Sequence, residues 1–374
     1  MKNDSKMHEM ASLVERWVNI NSYTGNLSGI ENLLNEIKQA FQSLKPDEMR
    51  IVSLPNNRKG LFLKKRGSAP FQIFFGGHLD TVFSLEHSFQ KATYVDELTL
   101  KGPGATDMKG GLVVMLKSLE QFERMEGCDK IGWEIFLNPD EEIGSPDSTL
   151  FIEECALRCH LACIFEPRLE DGSLVAKRNG SSNYIIISIG KTAHVGRNFG
   201  EGKNAIYPLA RFIGEIESLN GPQFGAIINI GLIKGGEANN IIPDYAECHL
   251  NIRGQDLQTM QLTEQRISQL AENFGLKLRR TSFRPPKPFD KKTESFFQKL
   301  KECGSKLGLQ LAWVDSGGVC DGNTFAAKGV PTIDTLGVRG GKIHTKNEYV
   351  HLESLCEQTE LVTLFLSEIA KDMR

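Results

Sequence analysis

Asp140-Glu141-Glu142, near the middle of the 374-residue chain, sets three carboxylates in succession among other residues able to bind a cation. Gly77-His78-Leu79-Asp80 and Gly104-Ala105-Thr106-Asp107-Met108-Lys109-Gly110-Gly111 stand upstream; Phe165-Glu166-Pro167 and Lys342-Ile343-His344-Thr345 stand downstream. Two imidazoles and three or four carboxylates suffice for two divalent cations, with one carboxylate left to carry a proton. Zinc takes imidazole nitrogen and carboxylate oxygen, and a catalytic zinc keeps one position open. Two zincs about 3.5–4 Å apart need a shared ligand. A short, two-oxygen Asp suits that task, and Asp107 is the candidate. Of the adjacent glutamates, one can be a ligand if the other is to serve as base. Neighbouring side chains on extended chain point opposite ways, so only a turn brings both to one site, and Ile143-Gly144-Ser145-Pro146 supplies one.

These residues need elements to present them. Strands are expected at 71–77, 133–138 and 161–165, each ending at candidate ligands, with helices at 110–124 and 147–158. Ser28-Gly29-Ile30-Glu31 reads as a capping box, opening a helix whose apolar positions Leu33, Leu34, Ile37 and Phe41 repeat at helical spacing. Strand–helix–strand order argues for an α/β domain with a mostly parallel sheet, which binds ligands at the carboxyl ends of its strands. From about Lys177 the pattern changes. Asn179-Gly180 reads as a tight turn, followed by strands at 184–189, 226–232, 245–253 and 277–283 and helices at 204–219 and 257–274. This is an α+β insert. The expected division is a catalytic domain in two parts, 1–177 and 289–374, around an inserted domain at 178–288.

Length argues for two domains. A hydrophobic fraction of 40% and a charged fraction of 24% are those of a globular protein, and a net charge of −3 gives no reason to expect nucleic acid or an anionic membrane as partner. The N-terminus is polar, and no apolar run is long enough for a signal core or a membrane span. A cytoplasmic location is the expectation. The eight cysteines show no disulfide-framework spacing. Cys155 and Cys159, four apart, read as reduced, buried thiols rather than a metal clamp. His8, His87, His160, His249 and His351 match no ligand position and read as structural or solvated.

Gly77-His78-Leu79-Asp80-Thr81-Val82-Phe83, Gly102-Pro103-Gly104 running to Asp107-Met108-Lys109-Gly110-Gly111, Asp140-Glu141-Glu142-Ile143-Gly144-Ser145 and His344-Thr345 resemble the di-zinc amidohydrolase family of acetylornithine deacetylase, succinyl-diaminopimelate desuccinylase, aminoacylase and glutamate carboxypeptidase. The resemblance runs in order over nearly the whole chain. It implies that His78, Asp107 and Glu166 bind one zinc and that Asp107, Glu142 and His344 bind the other, with cobalt or manganese as alternatives. It implies Glu141 as general base toward the metal-activated water, Asp80 behind His78 fixing its tautomer, and a cis peptide at Asp107–Met108.

The same resemblance makes the insert a ferredoxin-like dimerisation or lid domain. Thr192-Ala193-His194-Val195-Gly196 matches the segment whose histidine reaches the partner subunit's site and stabilises the oxyanion, a role that falls to His194 in a homodimer. Asn239-Asn240-Ile241-Ile242-Pro243 and Leu250-Asn251-Ile252-Arg253 match segments that hold a substrate carboxylate through Asn240 and Arg253. Arg284 is a further candidate. Asp315-Ser316-Gly317-Gly318-Val319-Cys320-Asp321-Gly322-Asn323, then Gly329-Val330-Pro331-Thr332, Leu336-Gly337, His344-Thr345 and Glu348-Tyr349-Val350, look most like the glutamate carboxypeptidase branch, in which Gly317 and Gly318 let backbone amides approach a carboxylate. The chain departs from that branch at Val319 and Cys320, where glycine and serine are usual.

The expected function is zinc-dependent hydrolysis of an amide bond in a small peptide, releasing a C-terminal amino acid such as glutamate. An N-acyl-amino-acid deacylase is the alternative with the same chemistry, and a catalytically silent binding protein on this fold is the alternative of another class. Gly102-Pro103-Gly104 and Gly110-Gly111 also raise a dinucleotide-binding oxidoreductase, but their spacing is wrong for a phosphate-binding turn and no acid is placed for a ribose.

Overall fold

The computed structural model describes residues 2–220 and 225–373. The chain divides into two compact units. One comprises Met1–Lys177, Pro288–Ser316 and Cys320–Arg374; the other comprises Arg178–Lys287 with Gly317–Val319. The return of Gly317–Val319 to the second unit is not visible in linear sequence. There Arg253 Nη1 donates to Gly317 O at 3.4 Å.

The first unit is built on a six-stranded sheet in the order Glu48–Ser53, Lys59–Lys65, Ile131–Asn138, Phe71–His78, Leu161–Ile164 and Thr332–Ile333. The last four run parallel; Lys59–Lys65 pairs antiparallel with Ile131–Asn138, and Glu48–Ser53 in turn pairs antiparallel with Lys59–Lys65 at the edge. The parallel strands are apolar on both faces because both faces are covered. Ile73, Phe75, Trp133, Ile135 and Leu137 enter one core with the helices Gly110–Phe122 and Glu353–Asp372. Phe74, Phe136, Ala162 and Ile164 enter another with the helices Thr149–Ala156 and Gly322–Ala327. This period-two division of one strand between two cores is what the pleat requires. Parallel strands share a carboxyl end, so His78 and the residues after Asn138 and Ile164 emerge on one side.

The helix Leu27–Phe41 buries Ile30, Leu33, Leu34, Ile37 and Phe41, as its spacing predicts. Each such side chain contributes roughly 1.5–3 kcal/mol over leaving it exposed. Its cap differs from the expected Ser28–Glu31 box. Asn26 is the N-cap, its side chain accepting from Gly29 N at 3.1 Å, and Ser28 Oγ donates to Asn26 Oδ1 at 3.0 Å. A side-chain amide oxygen caps as well as a hydroxyl, and it starts the helix earlier.

The second unit carries an antiparallel sheet ordered Ala226–Gly235, Tyr245–Gly254, Gly180–Ile189, Lys277–Arg284. With the helices Ile206–Ile216 and Leu257–Asn273, the chain order is β-α-β-β-α-β, the ferredoxin-like arrangement. Alternate residues of Tyr245–Gly254 are buried, and Leu250 and Ile252 pack with Leu209, Phe212 and Ile267 of the helices. Asn179-Gly180 is not a turn. Gly180 opens a strand paired with Gly254, and a Cβ there would stand 2.3 Å from Met260 Sδ. Close packing, not chain reversal, selects this glycine. All eight cysteines are free. Among the described residues no helix is long and apolar enough to cross a membrane.

Candidate metal centre

Asp107 lies in a turn spanning Ala105–Lys109, just before the helix Gly110–Phe122, and the Asp107–Met108 peptide is cis. Its two carboxylate oxygens face different imidazoles. Oδ1 is 3.1 Å from His78 Nε2, and Oδ2 is 3.3 Å from His344 Nε2. Glu166 Oε1 is 4.0 Å from His78 Nε2, and Glu142 Oε2 is 3.1 Å from His344 Nε2. Among the described residues, His78, Asp107 and Glu166 form one group with metal-ligating spacing, and Asp107, Glu142 and His344 form a second. Asp107 belongs to both.

Each side chain arrives by a different local device. His78 is the last residue of its strand, and Glu166 stands two residues past the end of Leu161–Ile164. Glu141 and Glu142 share a 3₁₀ turn, Glu141–Ile143, which closes through Gly144 N donating to Glu141 O at 2.8 Å. Gly144 has φ +94, a backbone that side chains seldom adopt. His344 has φ +61 on an exposed loop.

Asp80 stands behind His78 and contacts more than its ring. His78 Nδ1 is 2.9 Å from the Asp80 backbone oxygen and 3.5 Å from Oδ1 of its carboxylate. That buried carboxylate also accepts from Glu141 N at 3.1 Å, Glu142 N at 3.2 Å and Thr24 Oγ1 at 2.7 Å. It therefore orients one imidazole and the two-glutamate turn together. Asp140 is fully buried and faces away from this group, its carboxylate accepting from Asp147 N at 2.7 Å and from Ser148 Oγ.

Crowded carboxylates dominate the electrostatics. Burial and the charge of Asp107 push Glu142 up to about 8. Burial works against the Asp107 carboxylate too, but hydrogen bonds to His344 and His78 hold it well below the usual carboxylate range. Hydrogen bonds to Asp107 and Glu142 raise His344 to about 11. His78 is disfavoured as a cation by burial, yet Asp107, Asp80 and the charge of Glu166 hold it well above its ordinary value. A cluster that retains protons so strongly is deficient in positive charge. Its imidazole and carboxylate donors are those that zinc accepts, so the donor set fits two divalent cations.

The other expected site residues lie in the second unit. His194 is exposed at the end of the short strand Ala193–His194, paired with Ile241. Gly196 N donates to His194 Nδ1 at 3.1 Å, which leaves the proton of the neutral ring on Nε2. The Asn240 backbone oxygen accepts from Val195 N at 3.0 Å. Arg253 Nε donates to Asn251 Oδ1 at 2.9 Å, and Asn251 Nδ2 donates to Asn183 Oδ1 at 2.7 Å, so the guanidinium is held by an amide ladder. Arg284 is buried at the end of its strand, whereas Gly317 and Gly318 are exposed. Cys320 is buried, its N donating to Asn323 Oδ1 at 3.1 Å.

Thr24 is missed in the sequence, while Asp321 and Glu348 stand in segments that resemble the glutamate carboxypeptidase branch but carry bracing contacts that the resemblance does not assign. Asp321 accepts from Ser145 Oγ at 2.6 Å and from Asn138 Nδ2, bracing the far side of the Glu141–Glu142 turn. Glu348 accepts from three backbone amides of the Asp107 turn. Backbone partners leave no spacing pattern.

A parallel sheet with two imidazoles and three carboxylates at its carboxyl edge, sharing one Asp, defines a metallohydrolase type of centre. The model of peptidase family M20/M25/M40 matches residues 74–368. The chain belongs to this family, and it is a hydrolase. It is 27% identical to carboxypeptidase G2 of a Pseudomonas species over 91% of this chain and 85% of that protein. It is also 27% identical to succinyl-diaminopimelate desuccinylase of Methylococcus capsulatus over 79% of this chain and 83% of that protein. Among solved structures, an M20 family metallo-carboxypeptidase from Sulfolobus solfataricus shares the fold, with a TM-score of 0.78 and 16% identity over 97% of this chain and 99% of that one. Family membership sets aside the silent binding protein and the oxidoreductase.

Proposed function

We propose that this hydrolase cleaves amide bonds with two divalent cations, zinc first among them, and releases a C-terminal amino acid from a small peptide. The observation that carries this reading is Asp107, whose two oxygens face His78 and His344. In it His78, Asp107 and Glu166 hold one cation and Asp107, Glu142 and His344 the other. Bound cations would supply Lewis acidity, polarising the scissile carbonyl and acidifying water. Glu141, its amide fixed by Asp80, takes the proton of the attacking water and returns it to the leaving nitrogen. Asp80 keeps His78 and the Glu141–Glu142 turn in register.

His194 presents Nε2–H as donor to the developing oxyanion, in a homodimer where each second unit serves the partner subunit. Arg253 grips the substrate carboxylate, with Asn240, Gly317, Gly318 and Arg284 as further contacts; the amide ladder presets the guanidinium at low entropic cost. A cytoplasmic location belongs to the same reading, supported by eight free cysteines. Similarity to carboxypeptidase G2 favours release of a C-terminal residue, and the likeness of residues 315–323 to the glutamate carboxypeptidase branch makes glutamate the first candidate. Similarity to the desuccinylase favours the second reading, an N-acyl-amino-acid deacylase.

A panel crossing several acyl groups with several C-terminal residues, assayed with zinc, cobalt and manganese, decides between them. Rates that follow the C-terminal residue support the carboxypeptidase reading, and rates that follow the acyl group support the deacylase. Absence of hydrolysis across the panel contradicts both.

A further inference from the structure

Glu348 is 1% exposed, and its carboxylate is wrapped by the turn that carries Asp107. Oε2 accepts from Gly104 N at 3.1 Å; Oε1 accepts from Thr106 N at 2.9 Å and from Asp107 N at 3.0 Å. All three donors are on buried residues, and a buried amide left without a partner is destabilising. One carboxylate therefore serves three donors that no regular element serves. It comes from a segment 241 residues away in sequence.

That segment is the one that delivers His344. Glu348 N donates to Thr345 O at 3.1 Å, and the Glu348 backbone oxygen accepts from Gly102 N at 3.1 Å. Thr106 Oγ1 donates to Tyr349 O at 2.5 Å, and Lys101 Nζ donates to Asn347 Oδ1 at 2.9 Å. The chain from His344 to Tyr349 is thus stitched along the chain from Lys101 to Asp107. The stitch fixes two things together: the orientation of the Asp107 carboxylate, and the 3.3 Å approach of its Oδ2 to His344 Nε2.

We infer that Glu348 is a positioning residue, which sets Asp107 and His344 in register for the pair of cations. The inference rests on the two-cation reading above. Glu348 belongs to neither metal-ligating group; it acts through the backbone of the shared ligand. Glu348→Gln keeps the size of the side chain but replaces one acceptor oxygen with an amide NH2 that cannot accept from the backbone N–H donors. Glu348→Asp keeps the charge and draws it back by one methylene.

The test is titration of metal-depleted protein with cobalt(II), read by calorimetry and by the visible absorption of the bound ion, alongside thermal melting of the metal-free form. Loss of an outer partner of a metal ligand typically costs roughly 10–100-fold in affinity. Folded Glu348→Gln should lose that much for at least one cobalt ion and show an altered spectrum, with Glu348→Asp closer to the parent. A role confined to stability would lower the melting temperature alone. Parent-like cobalt affinity and spectrum in folded Glu348→Gln would overturn the inference, whatever the melting temperature, as would failure of that variant to fold while Glu348→Asp folds with parent-like cobalt affinity. Failure of both variants to fold would overturn it too, by assigning the residue to stability. If the parent protein binds fewer than two cobalt ions, the two-cation reading fails first and takes the inference with it.

Discussion

Glu142 Oε2 and His344 Nε2 lie 3.1 Å apart, joining a turn at the end of a central strand to a loop near the C-terminus. In the cation-free protein this pair keeps protons that a cation must displace. His344 is raised to about 11 by its hydrogen bonds to Asp107 and Glu142, and Glu142 to about 8 by burial and the charge of Asp107. At pH 7 both groups carry their protons, so cation uptake should release protons to solvent. The apparent affinity should strengthen as pH rises from 6 through 8. Calorimetric zinc titrations in buffers of different ionisation enthalpy measure the release directly. Zero net release at pH 7 would contradict the charge state drawn here.

Glu141 and Asp107 separate base from ligand. Glu141→Gln should retain both cations and lose on the order of 10²–10⁴ in turnover, the range for a positioned general base. Asp107→Ala should lose metal, because it serves both groups. Metal content by elemental analysis, paired with turnover, checks both. Normal turnover in Glu141→Gln would show that another group handles the proton.

Acid stability should depend on a carboxylate far from this chemistry. Glu123 accepts from Arg66 Nη1 at 2.8 Å and Trp133 Nε1 at 2.9 Å, and Lys65 Nζ lies 2.7 Å away. Burial opposes its charge, but these donors hold it down at about 2. A depressed carboxylate contributes stability that is complete above its unfolded value near 4.5 and is lost as pH falls toward 2. Glu123→Gln should cost on the order of 2 kcal/mol at pH 7, and the difference from the parent should shrink as pH falls below 4.5. Denaturant melts at pH 7, 4 and 3 test this, and a gap of constant size would refute it.

His194 offers a test of assembly. If its Nε2–H serves a partner subunit, His194→Ala should impair turnover by roughly 10²–10³ without releasing metal. Mixed dimers of His194→Ala and Glu141→Ala chains should regain one intact site. No recovery of activity in demonstrated mixed dimers would rule out donation across subunits.

Sequence reasoning reaches these residues unevenly, for physical reasons. Strand positions and the helix over Leu33, Leu34, Ile37 and Phe41 are legible because burial imposes a period. The Asp140-Glu141-Glu142 run and its glycine turn are legible because cation chemistry restricts residue types. Interactions with backbone have neither property. Glu348 stands in a segment that resembles the glutamate carboxypeptidase branch, but it serves amides, so nothing in its type or spacing shows what it holds. The same holds for the Asp80 carboxylate at the amides of Glu141 and Glu142. Asn26, two residues upstream of Ser28, took the cap because its side-chain oxygen accepts from Gly29 N, and Gly180 was selected by Met260, a neighbour remote in sequence.

The central claim is that two cations held through Asp107 make this protein an amide hydrolase. Its most direct test is to deplete the protein of metal with a chelator, verify depletion by elemental analysis, and follow dipeptide or N-acyl amino acid hydrolysis while zinc or cobalt is added back. The account predicts no turnover at zero metal and a return of activity that reaches its plateau at two equivalents per chain. Full turnover in verified metal-free protein would contradict it.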